Sequence, residues 1–443
     1  MPSMSILYAL GSNSSGQLGV GHTADVPSLP QQCIFAVETS DSQDRGGGGG
    51  GTPLHPLRAQ DLGPLIRESI GEVSKIVAGG NHTLVLTDRG RLFVAGQGGG
   101  GGVLRRVDGE GGCEGEGKPQ QSNMFSELTT AILAYCAAAL EGQGQRGAIT
   151  HVAASWDVSF AAVNGRVVVS WGDFGARDAL TTGMAATTTA AGTSSITSAD
   201  GERRMWTSFV VDHHTDGKDN DATITAIGAG MAHVVVLLSN GHAYGWGASR
   251  KGQLGEQYRE QKILRDPRRL DVGPDGRRIL PFTPERVILG REYTVFLRRG
   301  GKPVIWGSVP GNTEGDWLLG QNDTAVSGWS SVHVLSGSGS GSTPGVVQSM
   351  GRNNHGQFAP ANLPAIRAIA AGSEHCVALT MEGQVIAWGW GEHGNCGEQV
   401  DEKGNVFDRW NVIPLPELDE ATVVKDVAAG CATTFVICGE EER

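Results

Sequence analysis

The stretch from Ile366 to Gly389, IRAIAAGSEHCVALTMEGQVIAWG, holds three short runs of β-branched and aliphatic residues separated by two turn signals. The first run ends at Gly372, the second begins on His375 and is apolar almost throughout, and the third follows Glu382-Gly383 and closes on Trp388-Gly389. Runs of this length between glycine turns read as strands, and a strand apolar on both faces needs protein packed on both faces.

The pattern recurs along the chain. VSKIVAGGNHTLVLTDRGRLFVAG starts at Val73, ITHVAASWDVSFAAVNGRVVVSWG at Ile149 and ITAIGAGMAHVVVLLSNGHAYGWG at Ile224, with a weaker copy, RVILGREYTVFLRRGGKPVIWG, at Arg286. Two further heads are VKDVAAGCATTFVIC from Val424 and the poor WSSVHVLSGSGSG from Trp329. The tails are seven: Leu10-Gly11, Ala95-Gly96, Trp171-Gly172, Trp246-Gly247, Trp306-Gly307, Met350-Gly351 and Trp388-Gly389. Heads and tails balance only if the first tail, SILYALGSNSSGQLG, completes the last head. The fold class that follows is all-β: one seven-bladed β-propeller over residues 1–443, closed by pairing the N- and C-terminal strands, which leaves no open sheet edge between first and last blade.

Asn164-Gly165 and Asn240-Gly241 supply hairpin turns. The recurrent Gly79, Gly230, Gly290, Gly372 and Gly430 are expected where backbone crowds near the axis or turns with positive φ, and Ser155 breaks the rule. The aromatic residues before the tail glycines are expected to fill the space between sheets.

Gly-rich insertions are expected at about 38–64, 97–147, 176–222 and 336–344. Polyglycine (46–51, 98–102), the Ala/Thr/Ser tract 185–198 and the Gly/Ser alternation 337–342 bury too little to offset chain entropy, so they read as surface loops without strands. Within SNMFSELTTAILAYCAAALEGQG an inserted helix is expected, capped by Ser122, with Phe125, Leu128, Ile132 and Leu133 on its apolar face and Gly142 as its stop.

The segments VAGGNHTLVLT, AAGSEHCVALT, GSNSSGQLG and GASRKGQLG resemble the regulator-of-chromosome-condensation repeat family, whose members are seven-bladed propellers. Within that family the opening MSILYALGSNSSGQLGVGH is similar to the fungal alpha-tubulin-suppressor, or killer-toxin-insensitivity, group. That resemblance implies a non-catalytic scaffold that forms a heterodimer with a small acidic CSL zinc-finger protein able to carry iron. It further implies roles in diphthamide biosynthesis and in Elongator-dependent modification of the tRNA wobble uridine, with Elongator as a further partner. The alternative from the same family is a guanine-nucleotide exchange factor for a Ran-like small GTPase. A ubiquitin-ligase substrate module is a third reading, and no ligase domain follows the repeats.

Chemistry of other kinds finds little purchase. The net charge of −12 argues against direct nucleic-acid binding, and no apolar run is long enough to span a membrane, so a cytoplasmic protein with access to the nucleus is expected. The scattered cysteines 33, 113, 136, 376, 396, 431 and 438 form no CxxC pair and read as reduced thiols. GEGKP around Lys118 lacks the spacing of a phosphate loop. His82, His233 and His375 share one repeat position but read as structural, because Val158, Tyr293 and Thr433 replace them elsewhere. Asp212-His213-His214 beside DGKDND reads as loop composition. No catalytic residue, cofactor or metal is therefore expected, and the chain is not read as an enzyme.

Candidate partner-binding residues are those that depart from the repeat by adding bulk or charge. Trp390, with His393 close by, follows Trp388-Gly389 where the other tails have small or polar residues, and Trp156 stands where other copies have Gly80, Met231, Arg291, Ser373 or Cys431. Trp317, Trp329 and Trp410 fall in connections. Residues 259–302 carry 12 Lys and Arg against 6 Asp and Glu, a basic island able to steer an acidic partner, with Arg268, Arg269, Arg277 and Arg278 as its chief members.

Overall fold

A computed structural model of the chain describes residues 5–37, 55–58, 70–97, 122–137, 147–172, 195–197, 203–211, 222–309, 311, 318–337 and 345–441. The chain opens with β1 (Ile6–Gly11), β2 (Val26–Gln32), β3 (Ile34–Val37) and β4 (His55–Arg58). Blade 1 follows as β5 (Val73–Ala78), β6 (His82–Thr87), β7 (Leu92–Gly96) and β8 (Ser122–Glu127), then helix α1 (Thr129–Cys136). Blade 2 is β9 (Ile149–Ala154), β10 (Val158–Val163), β11 (Val167–Gly172), β12 (Ser195–Thr197) and β13 (Arg203–Val210). Blade 3 is β14 (Ile224–Ala229), β15 (His233–Leu238), β16 (Ala243–Ala248) and β17 (Ile263–Arg269).

Blades 4 and 5 show three strands each among the described residues: β18 (Arg286–Leu289), β19 (Tyr293–Leu297), β20 (Val304–Gly307), and β21 (Thr324–Ser327), β22 (Ser331–Ser336), β23 (Val346–Gly351). Blade 6 is β24 (Ile366–Ala371), β25 (His375–Thr380), β26 (Val385–Trp390) and β27 (Asn405–Val412); blade 7 begins with β28 (Thr422–Gly430) and β29 (Thr433–Glu440).

Blade 7 is completed by the start of the chain, in the order β2-β1-β29-β28, with Ile6 opposite Cys438 and Gly11 opposite Thr433. The inner strands touch in one cycle, β5 to β9, β14, β18, β21, β24, β28 and back to β5. The fold is therefore the expected closed seven-bladed propeller. The second strand of the regular units, such as β6, β10, β15 and β25, is buried at every position, which is why these segments are apolar without alternation.

Trp171 and Trp388 before the tail glycines are fully buried between sheets and Trp246 nearly so. Trp306 is half-buried and lies edge-on to Phe296 at 4.8 Å. Tail glycines such as Gly389 (φ +102°) meet the turn before the second strand so closely that a Cβ would stand 2.6 Å from the Glu374 carbonyl oxygen. The other recurrent set, including Gly372, has no positive φ; crowding alone demands it, since a Cβ on Gly372 would lie 2.2 Å from the His375 ring and 2.3 Å from the Gly430 carbonyl.

Two local expectations fail. Ser122–Glu127 is the strand β8, paired to β7, and α1 starts only after Leu128, with no side-chain cap. The open edge of β7 offers ladder hydrogen bonds there that a first helical turn would leave unmade. Leu128, Ile132, Tyr135 and Cys136 are buried between blades 1 and 2, while Gly142 lies outside the described residues. Within the tract expected to be strandless, Ser195–Thr197 adds to the edge of β13 through backbone pairing, which needs no burial of side chains. The polyglycine runs, Cys113, Lys118, Trp317 and Asp212-His213-His214 lie outside the described residues. Among the described residues no helix is long and apolar enough to cross a membrane.

Candidate functional site

The seven inner strands enclose a channel of about 570 Å³ along the axis. Each inner strand ends in a turn, and the seven turns place Gly80, Trp156, Met231, Arg291, Trp329, Ser373 and Cys431 around one mouth. Backbone hydrogen bonds run from blade to blade around it. The Gly80 N–H donates to Trp156 (2.8 Å), Trp156 to Met231 (3.2 Å), Arg291 to Trp329 (3.0 Å), Trp329 to Ser373 (2.7 Å) and Ser373 to Gly430 (3.2 Å). The mouth is thus a rigid rim from which side chains project.

Trp156 and Trp329 meet on this rim, ring centroids 5.1 Å apart and tilted by 47°, and both are half-buried. A Cβ on Gly80 would stand 2.8 Å from the Trp156 ring, so the neighbouring blade leaves room for that indole. Trp329 is therefore no connection residue. It occupies the position equivalent to Trp156, and registering the poor fifth head on Gly328 rather than on Trp329 would have revealed the match.

The loops after the third strands rise on the same side, because Ser12, Gln97, Ala248, Ser308, Arg352 and Trp390 each donate a backbone hydrogen bond to the turns of the rim. In these loops the recurrent Gln is a brace. Gln17, Gln253 and Gln357 are buried, and their Oε1 atoms accept from the N–H two residues earlier at 2.8 to 2.9 Å. Trp390 lies between His393 (5.4 Å, edge-on) and His355 (6.4 Å); His393 Nδ1 pairs with Asp25 at 3.0 Å across the blade 6–7 seam, and His355 with Asn405 at 3.0 Å.

The basic island lies elsewhere. Arg268 and Arg269 end β17, and Arg277 and Arg278 sit in the connection to blade 4, all toward the opposite side, where the hairpins after the second strands emerge. Arg269 forks onto Asp271 (3.1 Å twice), and Arg278 donates to Gly241, Phe282 and Thr283. Arg268 and Arg277 are exposed. Trp410 is half-buried on the outer strand β27 and belongs to neither end of the channel.

Two of the repeat-position histidines, His233 and His375, are latches between blades, while His82 is buried with its Nε2 unpaired among the described residues. His233 Nε2 bonds to Thr294 Oγ1 at 3.0 Å, His375 Nε2 to Thr434 Oγ1 at 3.1 Å, and Tyr293, their equivalent in blade 4, donates to the Gly328 or Ser331 carbonyl of blade 5 at 2.8 to 2.9 Å. Burial holds His82, His233 and His375 neutral, pulling their pKa down to about 4. Six described cysteines are unpaired thiols, all buried or half-buried.

The regulator of chromosome condensation (RCC1) repeat pattern matches residues 73–101, 224–253 and 366–395, the inner halves of blades 1, 3 and 6 with the loops that follow. The chain carries RCC1 repeats. The chain is 28% identical over 234 residues to an RCC1 repeat-containing protein of Schizosaccharomyces pombe, covering 51% of this chain and 60% of that one, less than two thirds of the relative's length. It is 25% identical over 464 residues to the secretion-regulating guanine nucleotide exchange factor of Bos taurus, covering 94% of this chain and 80% of that protein. Among solved structures it is similar in fold to Prp20p of Saccharomyces cerevisiae, reported with that protein's binding to Gsp1p and histones. The TM-score there is 0.61 at 16% identity, over 100% of this chain and 92% of that one.

Proposed function

We propose that the protein is a non-catalytic scaffold that acts as a guanine-nucleotide exchange factor on a small GTPase, docking it on the rim around Trp156 and Trp329. The observation that carries the reading is the match to a protein named as an exchange factor over 94% of the chain. The aromatic rim supports it as the contact, because paired tryptophans on a rigid frame lose little conformational entropy on docking. Exchange needs no bond chemistry. A scaffold that binds the nucleotide-free GTPase more tightly than the loaded form lowers nucleotide affinity by the same factor.

This reading is preferred to the CSL partnership that the opening stretch implies. In blade 7 that stretch is fold grammar: Asn13 and Gln17 are buried and brace their own loop, as Asn353 and Gln357 do in blade 5. These residues of the stretch thus have a role in the fold that needs no partner. We also propose a cytoplasmic protein with access to the nucleus.

The test is release of a fluorescent guanine nucleotide from a panel of small GTPases, a Ran-like one included. Acceleration by the wild type, reduced about tenfold or more by Trp156→Ala with Trp329→Ala, is the expected result. Absence of acceleration across the panel, together with recovery of a stoichiometric small zinc protein on purification from the native cell, would replace this reading with the CSL heterodimer.

A further inference from the structure

Deeper in the channel, one register position of the inner strands carries charge in some blades only. Four residues before the rim turns it holds Lys75 in β5, His151 in β9, Arg286 in β18 and Asp426 in β28, all lining the lumen. The Lys75 side chain is surrounded by the inner strands yet open to the lumen, and among the described residues it has no hydrogen bond or ion pair. Arg286 belongs to blade 4 and lines the same lumen, near enough for its charge to act on Lys75. Its Nη1 and Nη2 donate to the Asp323 and Ala325 backbone carbonyls at 3.4 and 3.2 Å, which hold the guanidinium in place without neutralising it.

The other two groups offset this charge only in part. His151 has both ring nitrogens engaged, Nε2 on the Thr225 carbonyl at 3.2 Å and Nδ1 on Thr150 Oγ1 at 3.0 Å, an arrangement that fits the neutral imidazole. The Asp426 carboxylate accepts from its neighbour's N–H at 2.8 Å, and the cation that acts on it is Arg367. Burial and the Arg286 charge both push the Lys75 amine below its ordinary pKa. Two cations thus share a confined lumen whose one acidic lining residue among the described residues is Asp426.

We infer that the channel between Lys75 and Arg286 is a binding site for a phosphate-type oxyanion. Such an ion accepts from the ammonium and the guanidinium together, and it relieves their repulsion where water alone screens it poorly. The site stands apart from the rim and does not depend on the exchange-factor reading.

The experiment is calorimetric titration of the full chain with inorganic phosphate and with pyrophosphate in chloride buffer, paired with thermal unfolding. Saturable binding and a raised Tm are expected, with Lys75→Gln weakening binding by about tenfold or more, Lys75→Arg retaining it, and Lys403→Gln, on an exposed loop, leaving it unchanged. Without phosphate, Lys75→Gln is expected to unfold at the same or a higher temperature than wild type, the opposite of losing a structural lysine. Absence of saturable binding by either anion, or Lys75→Gln binding both as wild type does, would overturn the site.

Discussion

Blades 6 and 2 fill the same place in the repeat by opposite means. In blade 6, Gly372 lets the His375 ring fold back over the turn and reach Thr434 of blade 7. In blade 2, Ser155 replaces the glycine and Val158 the histidine; the serine hydroxyl closes its own turn onto Val158, and Trp156 projects beside it. Blade 5 keeps the glycine, Gly328, but has Ser331 at the latch position and Trp329 on the rim. Every ring at the latch position, His82, His233, Tyr293 and His375, follows such a glycine, although Gly328 and Gly430 stand without one, and both tryptophans of the rim lie in blades without a latch ring. The bland copies hold the ring together, and the deviant copies present its surface.

Acid gives the largest expected effect on that contrast. The buried repeat-position histidines have folded pKa values of about 4 against an ordinary 6.5, so the unfolded chain binds more protons between those limits. Stability is complete above about pH 6.5 and falls as pH drops toward 4, by up to about 3 kcal/mol for each histidine. Hydrogen exchange at the two extremes should show protection lost first in blades 1, 3, 5 and 6, which hold His82, His233, the equally buried His333 and His375. Equal loss in blade 2 would break the comparison.

Gly372→Ala comes next, at about 2–3 kcal/mol by denaturant unfolding, because the added methyl meets a backbone carbonyl that has nowhere to go. Ser155→Ala in blade 2 should cost less than about 1 kcal/mol, since only a local hydroxyl bond is lost. Trp156→Ala should cost about 1 kcal/mol of stability through the lost ring pair, well below its effect on nucleotide exchange. Arg277→Glu, exposed on the far side, should leave stability within about 0.5 kcal/mol and exchange unchanged. A large loss of exchange there would move the docking surface to the basic side.

Much of the architecture was readable in the chain. Seven tails against six heads and a fragment demanded closure through the termini, and the pairing of Ile6 with Cys438 is that closure. The structural role of His82, His233 and His375 was readable because their replacement in other copies excluded a complete ring of ligands. The site was legible only in part. Trp156 stood out against its equivalents, whereas Trp329 hid in a head too degenerate to register, and nothing in the sequence separated the ends of the channel.

A strand's side chains alternate and its turns need particular residues, so periodicity and glycine placement determine blades, their number and their closure from local sequence alone. Only the closed ring decides that Trp156 meets Trp329, that Lys75 and Arg286 line one lumen, and that the arginines of residues 268–278 lie on the other side. Those encounters depend on the accumulated rotation of several blades about one axis. That rotation is a sum over all the interfaces in between and is written in no single stretch of chain.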